Sequence, residues 1–315
     1  MSPVARFRDA LSQRDDVPLL TAIIAVCFWS ATPLFVRGVS TSTTTVIFWR
    51  FIVATPIMTA VAVFAGGRFT KELFVKSFWP GVLFAGSLVT GLTALRETSI
   101  ANATLIMSLQ PVLVLMIAPK LFKEKVRITQ VVSSIVAMAG VTIFILAAAS
   151  TSGATIRGDL IAFSNLFVWT GYFLLSKHVR STGAGAHSWS FLAVVFMWAS
   201  LFVAPWALTT SNDIGAMTTK DWILVVSMVL LPGVLGHGMM TWAQRHVDVT
   251  VLSLLMLLQP VLGAFGAWMI YDQRLNGIQV FGGVLVLGAL AAIVRESRAV
   301  ATAEAQAAAE LLETA

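Results

Sequence analysis

The sequence predicts an all-α polytopic membrane protein, with ten transmembrane helices arranged as two inverted five-helix repeats around a central cavity. Three observations lead there. Of 315 residues, 57% are hydrophobic and 11% charged, against about 45–50% and about 25% in soluble domains. The apolar residues fall into ten runs, each close to the length of a bilayer crossing. A five-residue string occurs twice, 149 positions apart.

With 21 basic and 15 acidic side chains, the chain cannot cover a water-facing surface of this size. A mean hydropathy of +0.86 agrees. A soluble enzyme and a disordered chain are excluded. The net charge of +6 would suit a nucleic-acid binder, but the basic residues lie between apolar runs, where they set topology. No nucleic-acid partner is expected; the bilayer is the partner. The single cysteine, Cys27, lies within an apolar run and offers no disulfide framework or metal cluster.

About 30 Å of hydrocarbon at 1.5 Å per residue requires about 20 apolar residues. The runs are Leu19–Val36, Thr43–Ala65, Phe78–Leu95, Ile100–Pro119, Ile128–Ala148, Asp159–Val179, His187–Leu208, Asp221–Trp242, Thr250–Tyr271 and Gly277–Val294. The first reads as a span rather than a signal peptide, because it has mixed flanking charges and no small-x-small cleavage site before Pro33. With the N-terminus inside, 15 Lys and Arg fall on the inner side and 5 on the outer, Arg50 being within a span. That bias places both termini in the cytoplasm of a bacterial-type inner membrane.

Leu109-Gln110-Pro111-Val112-Leu113 recurs as Leu258-Gln259-Pro260-Val261-Leu262, and the same offset pairs Met107 with Met256 and Gln130 with Gln279. Upstream, an offset of 140 pairs Trp29 with Trp169, Arg37 with Lys177, Trp49 with Trp189 and Phe51 with Phe191. The expected organisation is a cytoplasmic segment (1–18), one five-span repeat (19–148), a linker (149–158), a second repeat (159–294) and a cytoplasmic tail (295–315) bearing a short surface helix. Five is odd, so the copies enter the membrane from opposite sides. Inverted repeats of this kind characterise secondary transporters, whose solute site lies near midplane between the copies.

The duplicated Gln-Pro segment and the stretch after it carry a resemblance. Pro111-Val112-Leu113, Lys123-Glu124-Lys125-Val126, Gln130 and Ala139-Gly140-Val141 in the first copy match Pro260-Val261-Leu262, Gln273-Arg274-Leu275, Gln279 and Gly288 in the second. Together with Phe48-Trp49-Arg50-Phe51, they resemble the drug/metabolite transporter superfamily in its ten-span EamA-type branch. The second copy has Gln273 where the branch usually has Glu. The resemblance implies export of small metabolites, with amino-acid and aromatic-amino-acid exporters the nearest in character.

Polar groups at span centres need a reason. Gln110 and Gln259 stand beside helix-breaking prolines, where an amide can either meet a zwitterion or satisfy the broken helix. Met107 and Met256 lie one turn earlier and suit an adaptable pocket, or simply core packing. Asn165, Trp169, Tyr172 and Ser176 form one helical stripe. Trp169 and its repeat partner Trp29 are deep in their spans and make candidate walls for an apolar or aromatic solute. His237, among Pro232, Gly233, Gly236 and Gly238, is placed to bond solute or titrate. Arg50 either binds a substrate carboxylate or anchors near the outer surface. The candidate substrate-binding set is therefore Trp29, Arg50, Met107, Gln110, Asn165, Trp169, Tyr172, His237, Met256 and Gln259.

No Asp or Glu lies near the middle of a span, which removes the usual proton or sodium relay and favours facilitated movement. A membrane-embedded enzyme would need a clustered nucleophile, metal set or acid–base pair, and none is visible; no cofactor is expected. The expected function is alternating-access export of amino acids or related small metabolites by a monomer or weak homodimer. A multidrug or cationic-compound exporter and a channel-like facilitator are the alternatives. The charge bias predicts that green fluorescent protein fused after Ala315 fluoresces while alkaline phosphatase there is inactive. An active phosphatase would reverse the topology.

Overall fold

The computed structural model describes residues 17–98, 100–124, 126–148, 155–181, 187–272 and 275–313. Among them there is no strand, and ten helices are long and apolar enough to cross a bilayer. We label them α1 (Val17–Val36), α2 (Thr43–Phe64), α3 (Phe78–Glu97), α4 (Asn102–Phe122), α5 (Ile128–Ala147), α6 (Ile156–Ser181), α7 (Ser188–Thr210), α8 (Thr219–Ala243), α9 (Val249–Ile270) and α10 (Gly277–Ser297). Each predicted run coincides with one of these helices, their ends differing by three residues at most. The N-terminal segment before Val17 and much of the predicted linker lie outside the described residues, as do Lys125, Gln273 and Arg274.

Helix ends are fixed by the side chains the sequence places there. Ser42 caps α2 by accepting from Thr45 N. Thr218 and Asp221 form a reciprocal capping box at α8. The His187 side chain accepts from Ser190 N at α7. At the other end of the chain nothing stops the helix. After Gly288 there is no glycine or proline, and α10 continues unbroken to Glu313. The tail is thus an extension of the last span rather than a separate surface helix.

Hydrogen bonds between connections sort them onto two faces. On the face where α1 begins, His187 Nε2 before α7 donates to the Ala65 carbonyl after α2 at 3.2 Å. On the same face Glu124 after α4 accepts from Val249 N before α9 at 2.9 Å. On the opposite face Ser42 N donates to Asp213 at 2.5 Å, joining the α1–α2 and α7–α8 connections. Thr155 Oγ1 before α6 bonds the Glu97 carbonyl ending α3, and Asn276 Nδ2 before α10 reaches the Ala147 carbonyl at 2.9 Å. Odd and even connections therefore separate, as a chain that crosses ten times requires.

The Asp213 clasp is the densest of these joints. Its carboxylate also accepts from Ser42 Oγ at 2.6 Å, Ser211 Oγ at 2.8 Å and Thr45 Oγ1. Burial pushes this carboxyl up, but the hydrogen bonds from Ser42, Thr45 and Ser211 outweigh it and hold it well below the usual carboxylate range. Nearby, Asp221 takes both Ser40 N and Ser40 Oγ at 2.8 Å.

Helix pairing follows the repeat. α5 packs on α10, α2 on α7, α3 on α6, and α1 on α8. Exchanging the halves turns each of the first two pairs into itself and the third into the fourth, so the scheme is unchanged. The α5–α10 joint is close on both sides. A Cβ at Gly140 would stand 2.8 Å from the Gly282 carbonyl, and one at Gly282 2.6 Å from the Gly140 carbonyl. These glycines let the two helices pack closely within the chain. Gly288 meets nothing within 4 Å. Gly140→Val should therefore cost about 1–3 kcal/mol and lower the detergent-solubilised melting temperature, whereas Gly288→Ala should leave it unchanged.

Candidate solute site

Four spans are interrupted. α1 breaks at Ala31, between Val17–Ser30 and Thr32–Gly38, and α8 passes through a π-helical stretch, Val229–Gly236. α4 divides into Ile100–Met107 and Gln110–Phe122, and α9 into Val249–Leu255 and Leu258–Tyr271. Pro33, Pro111, Pro232 and Pro260 stand at or beside these breaks, each lacking the N–H that would continue the ladder.

In α8 the π turn leaves the Pro232 carbonyl accepting from His237 N and also from Trp29 Nε1 at 3.1 Å. The indole of α1 is thereby fixed to the interrupted backbone of α8. Glycines allow this approach: a Cβ at Gly236 would lie 2.8 Å from Trp29 Cδ1 and Nε1, and one at Gly238 2.2 Å from Trp189 Cη2. His237, between them, is 5% exposed.

Around His237 the rings close up. Its centroid is 4.9 Å from Trp29, 5.0 Å from Phe84, 6.1 Å from Phe196 and 6.5 Å from Trp169. Trp29 and Trp169 meet edge-on at 5.8 Å, and Tyr172 lies 5.3 Å from Trp169 and stacks on Phe84 at 4.8 Å. Edge-to-face and offset pairs of this kind contribute about 0.5–1.5 kcal/mol each beyond burial. Trp29 and Trp169 are the pair that the 140-residue offset makes equivalent.

Arg50 is 5% exposed. α2 packs against the π-helical stretch of α8, and the neighbouring Phe51 meets Phe84 and Phe196, which puts Arg50 at the depth of the aromatic cluster. No hydrogen bond or ion pair reaches its guanidinium from the other described residues.

The remaining candidates divide. Gln110 is buried with Nε2 unpartnered. Gln259 is half-buried and Met256 buried. Asn165 is committed elsewhere: its Oδ1 accepts from Thr90 Oγ1 at 2.8 Å and its Nδ2 donates to Met107 Sδ at 3.2 Å. These two bonds join α3, α4 and α6 and use the amide at both ends. Sequence reasoning missed Phe84 and Phe196, along with Phe51, which meets both at 5.6 and 5.7 Å. No local signal separates them from the other phenylalanines, because their role arises only when α2, α3 and α7 converge. Gly236→Ala should displace the Trp29 indole from the Pro232 carbonyl. We expect a destabilisation of about 1–3 kcal/mol and altered tryptophan fluorescence, against no change for Gly277→Ala, where space is open.

Comparisons with known proteins identify the family. The EamA-like transporter family matches twice, at residues 17–146 and 156–295. "Uncharacterized transporter YyaM" of Bacillus subtilis (strain 168) is 25% identical over 252 residues, 78% of this chain and 82% of that protein. "Probable amino-acid metabolite efflux pump" of Escherichia coli (strain K12) is 25% identical over 197 residues, 60% and 65% of the two chains. "Pseudopaline exporter CntI" of Pseudomonas aeruginosa (strain UCBPP-PA14) is 20% identical over 282 residues, 89% and 96%. A solved crystal structure superposes with a TM-score of 0.76 at 18% identity, covering 90% of this chain and 99% of its own, a likeness of fold. The family match spans both halves of the helical bundle: the chain is a multi-pass membrane protein belonging to the EamA-like transporter family.

Proposed function

We propose that this chain is a bacterial-type inner-membrane secondary transporter that exports amino acids, apolar and aromatic ones included, or related small metabolites. It works by alternating access of two inverted five-helix halves, with both termini in the cytoplasm. The observation that carries the reading is Arg50, a buried cation with no ion pair among the described residues, on a helix that packs against the π-helical stretch of α8 that holds Trp29 beside His237 and Trp169.

A buried charge without a partner is costly, and a carboxylate arriving with the solute would supply the missing partner. The adjacent rings suit an apolar or aromatic side chain, and their π faces suit an ammonium group. Gln110 and Gln259, at the breaks of α4 and α9, offer neutral donors and acceptors. Contact between the repeat-related tryptophans supports a site on the axis shared by both halves, where one solute is reached from either side. The named activities of the relatives, efflux of amino-acid metabolites and export of pseudopaline, agree with outward movement of small metabolites. A cationic-compound exporter would want a carboxylate where this site presents Arg50.

In proteoliposomes, labelled phenylalanine flux should saturate and be competed by other amino acids, but poorly by phenethylamine, which lacks the carboxylate. Arg50→Ala and Trp169→Ala should each reduce flux about tenfold or more, with Arg50→Lys retaining part of it. Wild-type flux in both alanine variants would remove the site.

A further inference from the structure

The repeat symmetry of the helix contacts breaks between α4 and α9. On the face where α1 begins, the Gln110–Phe122 half of α4 packs against the Val249–Leu255 half of α9. Among the described residues, the matching pair at the opposite face, Ile100–Met107 with Leu258–Tyr271, shows no comparable packing. One end of the α4–α9 seam is closed and the other is parted.

Glu124 stands at the closed end. Its side chain is 5% exposed. Oε1 accepts from Val249 N at 2.9 Å and from Lys177 Nζ at 3.0 Å, and Oε2 accepts from Thr250 N at 3.3 Å and Thr250 Oγ1 at 3.0 Å. One carboxylate thus satisfies two N–H groups that open α9 and neutralises a lysine at the end of α6, all from the connection after α4. Lys177 Nζ adds a bond to the Val247 carbonyl at 3.1 Å. A cleft of about 340 Å³, lined by Phe122, Glu124, Lys177 and Asp248 among others, leads to this junction. The repeat-equivalent position is Gln273, which cannot supply an ionic acceptor.

We infer that Glu124 is the gate-holding residue. Its carboxylate pins α9 and α6 to the connection after α4, seals the face where α1 begins, and biases the resting protein toward opening at the opposite face. Charge-assisted hydrogen bonds to a buried carboxylate are the strong ones, and an ionic latch at only one end of a two-fold arrangement makes the two open states unequal. The inference rests on the alternating-access reading above and adds which state is favoured and what favours it.

The test uses the full chain in a Cys27→Ser background with Ala118→Cys, a fully buried position in the closed half of α4. An impermeant maleimide is applied to inside-out vesicles. Glu124→Gln should raise the labelling rate about tenfold. Thr250→Val, which removes one donor and leaves the charge, should raise it less. Labelling unchanged by either variant, but altered by added phenylalanine, would overturn the latch and leave alternating access standing. Labelling that responds to neither variant nor phenylalanine would overturn both.

Discussion

A bilayer offers no hydrogen bonds to a polypeptide, so every backbone group freed by an interrupted helix must find its partner inside the protein. In this chain α1, α4, α8 and α9 are interrupted, and the rest of the arrangement depends on how those breaks are served. The Pro232 carbonyl accepts the Trp29 indole across 203 residues of sequence, which fixes α1 to α8 and positions Trp29 to meet both His237 and Trp169. The breaks in α4 and α9 carry the duplicated Gln-Pro pairs. The ring cluster thus sits where the fold is least regular, the place where transporters with discontinuous helices hold their solutes.

The few charged groups are distributed with the same economy. Carboxylates sit where helices end: Asp213 and Asp221 bind the α1–α2 connection, Asp159 accepts from Thr98 Oγ1 at 2.7 Å, and Glu124 closes the opposite face. Each is met by several donors, so none is left as an unpaired charge at the membrane boundary. Arg50 differs: it is buried, and no hydrogen bond or ion pair from the other described residues reaches it.

Much of this was legible in the sequence because hydrocarbon imposes a one-dimensional code. Span number and span ends follow from run length and flanking charge, and the repeat is visible at fixed offsets. Trp29 and Trp169 were legible as two deep tryptophans at matching positions of the repeat. Three things were not. The commitment of Asn165 to Thr90 and Met107 depends on α3 lying against α6, which no periodicity encodes. Phe51, Phe84 and Phe196 acquire their role by convergence of three helices from distant segments. The depth of Arg50 depends on α2 packing against the π-helical stretch of α8, which the sequence does not encode.

Counterflow in proteoliposomes tests the central claim most directly. Vesicles loaded with unlabelled phenylalanine and diluted into a trace of labelled phenylalanine should accumulate label transiently above its external concentration. A carrier whose single site faces one side at a time must return occupied by whichever solute it meets. Label that only equilibrates, without the overshoot, would show a continuous pathway through the bundle and contradict the account.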